Sequence, residues 1–266
     1  MSKKQTSLAL SEDQLALLNS SFPVGEESNR LSLPKFGMLS KDITEETGTG
    51  KNKKIKVIEA AGTFYTEKDQ GETNEEGKKV WTKTFLEGET VDVQIVYFRH
   101  QLRFYDKSLE KFISTHIYDT ADQVLPLYLD KQIIKRGTEK ELQALYPKLT
   151  QKGKPSSSLD KKTILYVLYE GEMYQFELSV SSGWEFSGYK RKVNPSTVVT
   201  TLSSTEEQAG SNVYRKINFN IKRPITSDEF GGVKEAVDQV KAQVENDSRF
   251  LLASGEDKAE EDYKNM

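Results

Sequence analysis

Apolar and polar positions alternate between residues 91 and 98, which predicts a β-strand with one face against a core. Val91, Val93 and Ile95 recur at the two-residue period of a strand. The alternation changes phase beyond Phe98, and this predicts a β-bulge or a tight bend near His100. The outward side of the strand then carries two rings and two guanidinium groups: Tyr97, Arg99, Arg103 and Tyr105. Flat rings beside cations are typical of surfaces that stack on bases and neutralise phosphates.

Further alternating or apolar runs predict strands along most of the chain. They cover residues 55–65, 80–86, 111–118, 125–134, 198–203 and 213–221. The clearest hairpin spans residues 163–180, where two apolar strands flank a turn centred on Gly171. Gly62 indicates a bulge or a close approach of backbones in the first strand. Two polar stretches, residues 67–79 and 148–162, are predicted to be loops, and the second carries five lysines. That lysine-rich loop is either a clamp over a polyanion or a solvated excursion.

Capping signals predict four helices, which begin near residues 11, 138, 183 and 226. The resulting layout is mainly β with a few helices. Residues 1–50 are expected to form a flexible N-terminal arm with a short helix, and residues 51–224 are expected to form a β domain with an insertion at 119–162. Residues 225–253 are expected to form a C-terminal helix, and residues 254–266 are expected to be an acidic disordered tail. We expect the arm to dock either on its own domain or on a second copy of the chain.

Composition narrows the classes of protein. The chain has 266 residues and no cysteine, which excludes disulfides, thiolate metal sites and a cysteine nucleophile. No apolar run approaches the roughly 20 residues that span a bilayer, and no secretory signal is recognisable at the start. We therefore expect a cytoplasmic protein that does not bind membranes.

Charge is unevenly distributed along the chain. Basic and acidic residues number 5 and 7 over residues 1–50, 28 and 23 over residues 51–224, and 5 and 11 over residues 225–266. A basic middle followed by an acidic end indicates binding to a polyanion, with the end as an interacting tail. Ordinary surface charge is the alternative explanation.

Motifs for catalysis are weak. The lysine-rich sequence at residues 48–54 lacks the spacing of a phosphate loop, so we exclude nucleotide hydrolysis. His100 and His116 have no metal-ligand spacing, and no serine-hydrolase or zinc-protease motif is present. Asp92, Asp119 and Glu177 are carboxylates that could hold Mg²⁺ in a nuclease. We expect no enzymatic activity, no cofactor and no metal.

The predicted order of elements is that of an oligonucleotide-binding (OB) barrel, in which a helix lies between the third and fourth principal strands. Two further segments are distinctive: the aromatic and basic WEFSGYKRKVNPSTV at residues 184–198 and the acidic GEDKAEEDY at residues 255–263. With them the chain resembles phage-type single-stranded DNA-binding proteins. The resemblance implies an elaborated OB-fold-like barrel. It also implies an acidic tail that recruits replication or recombination proteins and competes with DNA for a basic groove.

The predicted function is binding of single-stranded DNA with little sequence preference, protecting it during replication or recombination. The cations expected to contact phosphates are Lys53, Lys54, Arg99, Arg103, Lys190, Arg191 and Lys192. The rings expected to stack on bases are Tyr97, Tyr105, Trp184 and Tyr189. For Trp184 and Tyr97, packing in the core is the competing interpretation. Two other functions stay open: a β-rich assembly protein that binds no nucleic acid, and a Mg²⁺-dependent nuclease.

Overall fold

Strands dominate the protein, which is described by a computed structural model over residues 33–47, 54–75, 77, 79–129, 132–150, 153–210 and 212–242. The chain divides into residues 1–33 and 34–266, and the described strands and helices belong to the second unit. Its strands are β1 (Lys35–Met38), β2 (Ile43–Thr47), β3 (Lys54–Glu59), β4 (Phe64–Thr73), β5 (Lys79–Phe85), β6 (Thr90–Asp106), β7 (Lys111–Thr115), β8 (Leu125–Leu129), β9 (Gln132–Gly137), β10 (Pro147–Leu149), β11 (Pro155–Ser157), β12 (Asp160–Tyr169), β13 (Glu172–Leu178), β14 (Val198–Ala209) and β15 (Asn212–Pro224). Its helices are α1 (Glu139–Ala144), α2 (Val180–Tyr189) and α3 (residues 227–242). A mainly β fold with a few helices is confirmed.

The long strand β6 organises the main sheet. Its start pairs with β14, its middle with β12 and its end with β7. The full order is β5-β4-β1-β13-β12-β6-β7-β8-β9, with β14 beside β6 and β15 beside β14. The pairings are antiparallel except that of β1 with β13. The pairing of the described strands follows an open path and closes no barrel. β2–β3 and β10–β11 are separate two-stranded sheets.

The β-bulge in β6 lies at Val96, so its predicted position near His100 is wrong. Ile95 pairs with Val167 and Tyr97 pairs with Tyr166, which leaves Val96 as the extra residue. Val96 is itself buried, and the shift keeps Phe98 on the same side as Ile95. The change of phase therefore begins earlier than the sequence pattern indicates.

Two apolar clusters support the fold. The larger packs the inner side of the sheet against α2, and it includes Phe36, Phe64, Val93, Leu165, Phe176, Phe186 and Leu202. The smaller lies under the elements inserted between β6 and β12, and it includes Leu102, Ile113, Tyr118, Leu127 and Leu142. The side of the sheet that faces away from the larger cluster is called the outer face below.

Most predicted elements are found, including the hairpin β12–β13 and the capping box of Thr138 on α1. The predicted strand over residues 55–65 is instead two strands, because Gly62, with a φ of 94°, lies in a turn between β3 and β4. The predicted loop over residues 67–79 is largely strand, since β4 continues to Thr73. The predicted arm contains β1 and β2. The predicted helix near residue 11 and the acidic tail lie outside the described residues.

Candidate nucleic-acid interface

Three side chains at the end of β6 and on β7 form an exposed group of two rings and a cation. Tyr105 and Phe112 are paired across the two strands, and their ring centroids are 4.9 Å apart. The guanidinium carbon of Arg103 lies 4.3 Å from the centroid of the Phe112 ring. The rings are 44% and 50% exposed, respectively. Arg103, Tyr105 and Phe112 are called the β6–β7 cluster, and such rings can stack on unpaired bases.

A second group of rings and cations lies on β1, β4 and β5. Tyr65 pairs with Phe85, at 6.2 Å between ring centroids. The ammonium of Lys83 lies 4.7 Å from the centroid of the Tyr65 ring, and that of Lys35 lies 4.6 Å from the Trp81 ring. These five residues, called the β4–β5 cluster, have the same chemistry as the β6–β7 cluster, although their rings are only partly exposed.

Both clusters lie on the outer face. Phe64, Phe176 and Leu165 point into the larger core, so their alternate neighbours in β4, β13 and β12 point away from it. Glu177 of β13 stands between the clusters, and its Oε2 atom is 3.2 Å from Nη1 of Arg103. A groove beside the β4–β5 cluster is lined by residues that include Lys35, Gly37, Tyr65, Lys162 and Glu177. The outer face thus carries rings and cations from β5 across to β7.

Other segments cover part of the outer face. Arg99 was expected at the surface, but it is 2% exposed because residues 117–119 lie over it. Its Nε atom is 3.3 Å from Oδ1 of Asp119, and its Nη2 donates to the carbonyl of Ile117 at 3.0 Å. Tyr97 is partly buried beside the same carboxylate, and burial followed by Asp119 raises its pKa. Arg99 therefore forms a buried ion pair within the protein, and the side chain of Tyr97 is only partly accessible to a ligand.

The helix α3 lies beside another part of the outer face. Gln94, Leu168 and Met173 line one cavity together with residues of α3 that include Glu235 and Gln239. The accessible region of the outer face therefore lies toward the two ring clusters, away from α3.

Helical spacing decides which rings of α2 are accessible. Ser179 caps the helix by accepting a hydrogen bond from the backbone of Ser182 at 3.2 Å. Phe186 and Tyr189 then fall on the side that packs on the sheet, while Trp184 falls on the opposite side and is 76% exposed. Tyr189 is buried and hydrogen-bonded to Thr200 through their hydroxyls at 2.7 Å. The prediction that Tyr189 stacks on bases is wrong, because its ring is part of the core.

The basic run after α2 lies on the inner side of the sheet. The ammonium of Lys190 is 4.1 Å from the centroid of the Phe98 ring, which packs against the larger core. Burial, followed by the charges of Lys161 and Arg191, lowers the pKa of Lys190. Arg191 and Lys192 are exposed. This basic corner is separate from the β6–β7 cluster, so the predicted site residues do not form one wall.

Two predicted cations cannot be placed. Lys53 lies outside the described residues, and Lys54 opens β3 but its side chain is not described. The β4–β5 cluster and Phe112 were not predicted from the sequence. A signal was present, because Trp81, Lys83 and Phe85 alternate along one strand and must share a face. For Lys35 no such signal exists, because β1 was not predicted.

The carboxylates considered for a nuclease each have a basic partner. Asp92 pairs with Lys222, Asp119 with Arg99 and Glu177 with Arg103. Within the described ranges, no three histidine, aspartate or glutamate side chains are grouped so that they could hold a metal ion. None of the helices in those ranges has the length and apolar character needed to cross a bilayer.

Comparison of the chain with protein-family models, with curated proteins and with solved structures finds no match.

Proposed function

We propose that the protein binds single-stranded DNA on the outer face of its sheet, with little sequence preference. The observation that carries the proposal is the β6–β7 cluster, in which two half-exposed rings stand beside a guanidinium group on an open sheet face. Unpaired bases expose their ring faces whatever the sequence, and these faces can stack on aromatic side chains. In a duplex the same faces are stacked on one another. The cluster therefore favours single strands over duplex DNA.

The order of five strands supports an OB-like barrel as the finer description of the fold. Strands β15, β14, β6, β12 and β13 lie side by side in that order, and α2 connects β13 to β14. An OB fold is a partly open five-stranded barrel with a helix in this position, and it binds oligonucleotides on the face of its second and third strands. Counting from β6, those strands are β12 and β13, which lie between the two clusters.

In this proposal bases stack on Tyr105 and Phe112, and phosphates lie near Arg103, Lys35 and Lys83. The carboxylates of Glu177 and Glu67 pair with Arg103 and Lys35 in the free protein. Phosphates take the place of these carboxylates beside the cations, and the DNA releases its bound counterions, so binding weakens as salt increases. Each stacked base contributes on the order of 1 to 3 kcal/mol.

The test is fluorescence anisotropy with labelled oligo-dT of about 16 nucleotides and a duplex of equal length, over a series of salt concentrations. We expect tight, salt-dependent binding to the single strand alone. Phe112→Ala should weaken binding by about 1 to 3 kcal/mol, which is about 5- to 150-fold in dissociation constant. Phe230→Ala removes a ring of similar exposure from α3 and should leave affinity unchanged.

Three results would contradict the proposal. Equal losses in the two variants would show that the cluster is not the binding surface. Absence of binding to either DNA would favour the assembly protein, and Mg²⁺-dependent cleavage would favour the nuclease.

A further inference from the structure

A group of cations lies around His100 on the inner side of the sheet. The His100 ring is 5.7 Å from the ring of Phe98 and 5.9 Å from that of Tyr118. Each of these two rings faces an ammonium group: Lys190 is 4.1 Å from the centroid of Phe98, and Lys161 is 5.9 Å from that of Tyr118. Burial lowers the pKa of His100, and the charges of both lysines lower it further. Both ammonium groups therefore act on the same imidazole ring.

Four elements hold this group in place. Thr163 of β12 lies opposite His100 of β6, and its Oγ1 atom is 3.5 Å from Nδ1 of the imidazole. The helix α2 packs closely on this pair, because a Cβ atom at Gly183 would lie 3.3 Å from the same Oγ1 atom. Lys161 donates to both carboxylate oxygens of Glu139, the first residue of α1, at 3.1 and 2.8 Å. The positions of these side chains therefore depend on the packing of β6, β12, α1 and α2.

The positive charges of the group exceed the negative ones. The carboxylate of Glu139 already accepts hydrogen bonds from Lys161 and from the Tyr118 hydroxyl, both at 2.8 Å. Lys190 and Arg191 have no carboxylate partner in the described part of the chain. Burial, followed by the charges of Lys161 and Arg191, lowers the pKa of Lys190. A partly buried ammonium group beside like charges is costly unless an anion neutralises it.

We propose that Lys161, Lys190 and Arg191 bind a phosphate group beside His100, in a site separate from the outer face. These four residues are called the His100 site. Phosphate oxygens accept strong hydrogen bonds from ammonium groups, and pairs of them from a guanidinium group. Three cations and the carboxylate of Glu139 give a net charge of +2, and a phosphate ester carries about −1.5 to −2 at neutral pH. The phosphate belongs either to a small molecule or to a nucleic-acid backbone.

The first test uses the two histidines of the chain, whose Hε1 signals can both be followed by NMR. His116 is the internal control, because its ring is bonded to the Tyr128 hydroxyl, at 2.7 Å, outside the His100 site. The full chain is titrated between pH 7 and 4 in inorganic phosphate and in sodium chloride of equal ionic strength. Phosphate should raise the pKa of His100 by about one unit or more, because it offsets the charges of the two lysines. His116 should follow the same titration in both salts.

Two results of this titration would overturn the proposal. Equal titration curves of His100 in the two salts would show that phosphate does not bind beside the ring. Equal displacement of both histidines by phosphate would show general screening of charge, with an adventitious ion only.

The second test compares lysine variants, with phosphate affinity measured from the His100 signal. Lys190→Gln removes the ammonium group that lacks a partner and should weaken binding by about 10-fold or more. Lys190→Arg keeps the charge and should bind phosphate nearly as well as the wild type. Lys234→Gln removes an exposed lysine from α3 and should leave binding unchanged.

The position of Lys190 requires a check on folding in this test. A cation at the C-terminal end of a helix also stabilises the helix, so urea unfolding must show that each variant is folded. Unchanged phosphate affinity of a folded Lys190→Gln protein would contradict the proposal. So would equal losses in the variants of Lys190 and Lys234.

Two further titrations identify the source of the phosphate group. If it belongs to a nucleic-acid backbone, oligo-dT should move the His100 signal at lower concentration than inorganic phosphate, and Lys190→Gln should reduce the salt dependence of DNA binding. If it belongs to a small molecule, thymidine monophosphate should move the signal even when oligo-dT is already bound. Either result supports the site. Absence of any phosphate effect, with oligo-dT binding intact, would refute the His100 site and leave the function proposed for the outer face standing.

Discussion

His100 is a titratable side chain in a mostly apolar setting. Its ring lies 5.7 Å from that of Phe98 and 5.9 Å from that of Tyr118, between the two cores. Burial, followed by the charges of Lys161 and Lys190, lowers its pKa from 6.5 to about 4. The folded protein therefore holds the imidazole neutral over a range in which the unfolded chain protonates it.

This pKa predicts a loss of stability in acid. The unfolded state takes up the proton as pH falls below about 6.5, while the folded state takes it up only near 4, so stability decreases across that window. The expected loss is about 2 kcal/mol after allowance for solvent screening. Urea unfolding of the wild type and of His100→Gln between pH 7 and 4 measures it. Carboxylates titrate in both proteins, so parallel curves would contradict the assignment to His100.

The burial of individual residues was hard to predict wherever it depends on distant segments. An arginine at an outward strand position is normally exposed, and Arg99 is buried only because residues 117–119 fold over it and supply Asp119. Nothing in the local pattern around Arg99 contains that information. The exposure of Trp184 and the burial of Tyr189 follow instead from their spacing on α2, which local reasoning can provide once Phe186 is assigned to the core.

At the level of elements, the contact of β1 with β4 depends on one glycine. Gly37 pairs with Tyr65, and a Cβ atom at Gly37 would lie 2.8 Å from Cε1 of the tyrosine ring. The ring lies against the β1 backbone and also beneath the ammonium of Lys83. Gly37 therefore sets the position of a ring in the β4–β5 cluster.

Gly37→Ala should destabilise the protein by about 1 to 3 kcal/mol, because the added methyl group forces the Tyr65 ring away from β1. In a Tyr65→Ala background the same substitution should cost less than about 0.5 kcal/mol, since alanine suits a strand better than glycine. Urea unfolding of the four proteins in this double-mutant cycle measures the difference. Equal costs in both backgrounds would show that the ring is not the obstacle.

Elements with strong periodicity or caps were predictable, and those defined by pairing were not. The hairpin β12–β13 and the capped helices α1 and α2 follow from local sequence. β1 has four residues and becomes a strand because it fits between β4 and β13. The polar second half of β4 is a strand because β5 pairs with it. Polar residues such as Asp69 and Thr73 do not by themselves predict a strand. The clusters that span several strands were for this reason only partly predictable.

At the level of the whole molecule, cations of the outer face are balanced by carboxylates of the same surface. Lys35 pairs with Glu67, and Arg103 pairs with Glu177. Exposed pairs of this kind contribute little to stability. In the proposed function they reduce the positive potential of the face that binds DNA, so any additional negative charge that reaches this face should weaken that binding further.

The C-terminal residues 254–266 carry such charge, with five acidic and two basic side chains. Their deletion should leave affinity for oligo-dT unchanged or increase it, because a competing polyanion is removed. The gain should be largest at low salt and shrink as salt screens the tail from the outer face. Anisotropy titrations of the truncated and full-length chains at several salt concentrations measure this effect.

A third protein separates charge from chain length in that experiment. It keeps all thirteen tail residues but replaces each acidic one by its amide. If the tail competes through charge, the amide variant should match the truncation at every salt concentration. If it instead excludes DNA by its volume, the amide variant should match the full-length chain. A marked loss of affinity on deletion would mean that the tail assists binding, and the competition proposed between tail and DNA would then be wrong.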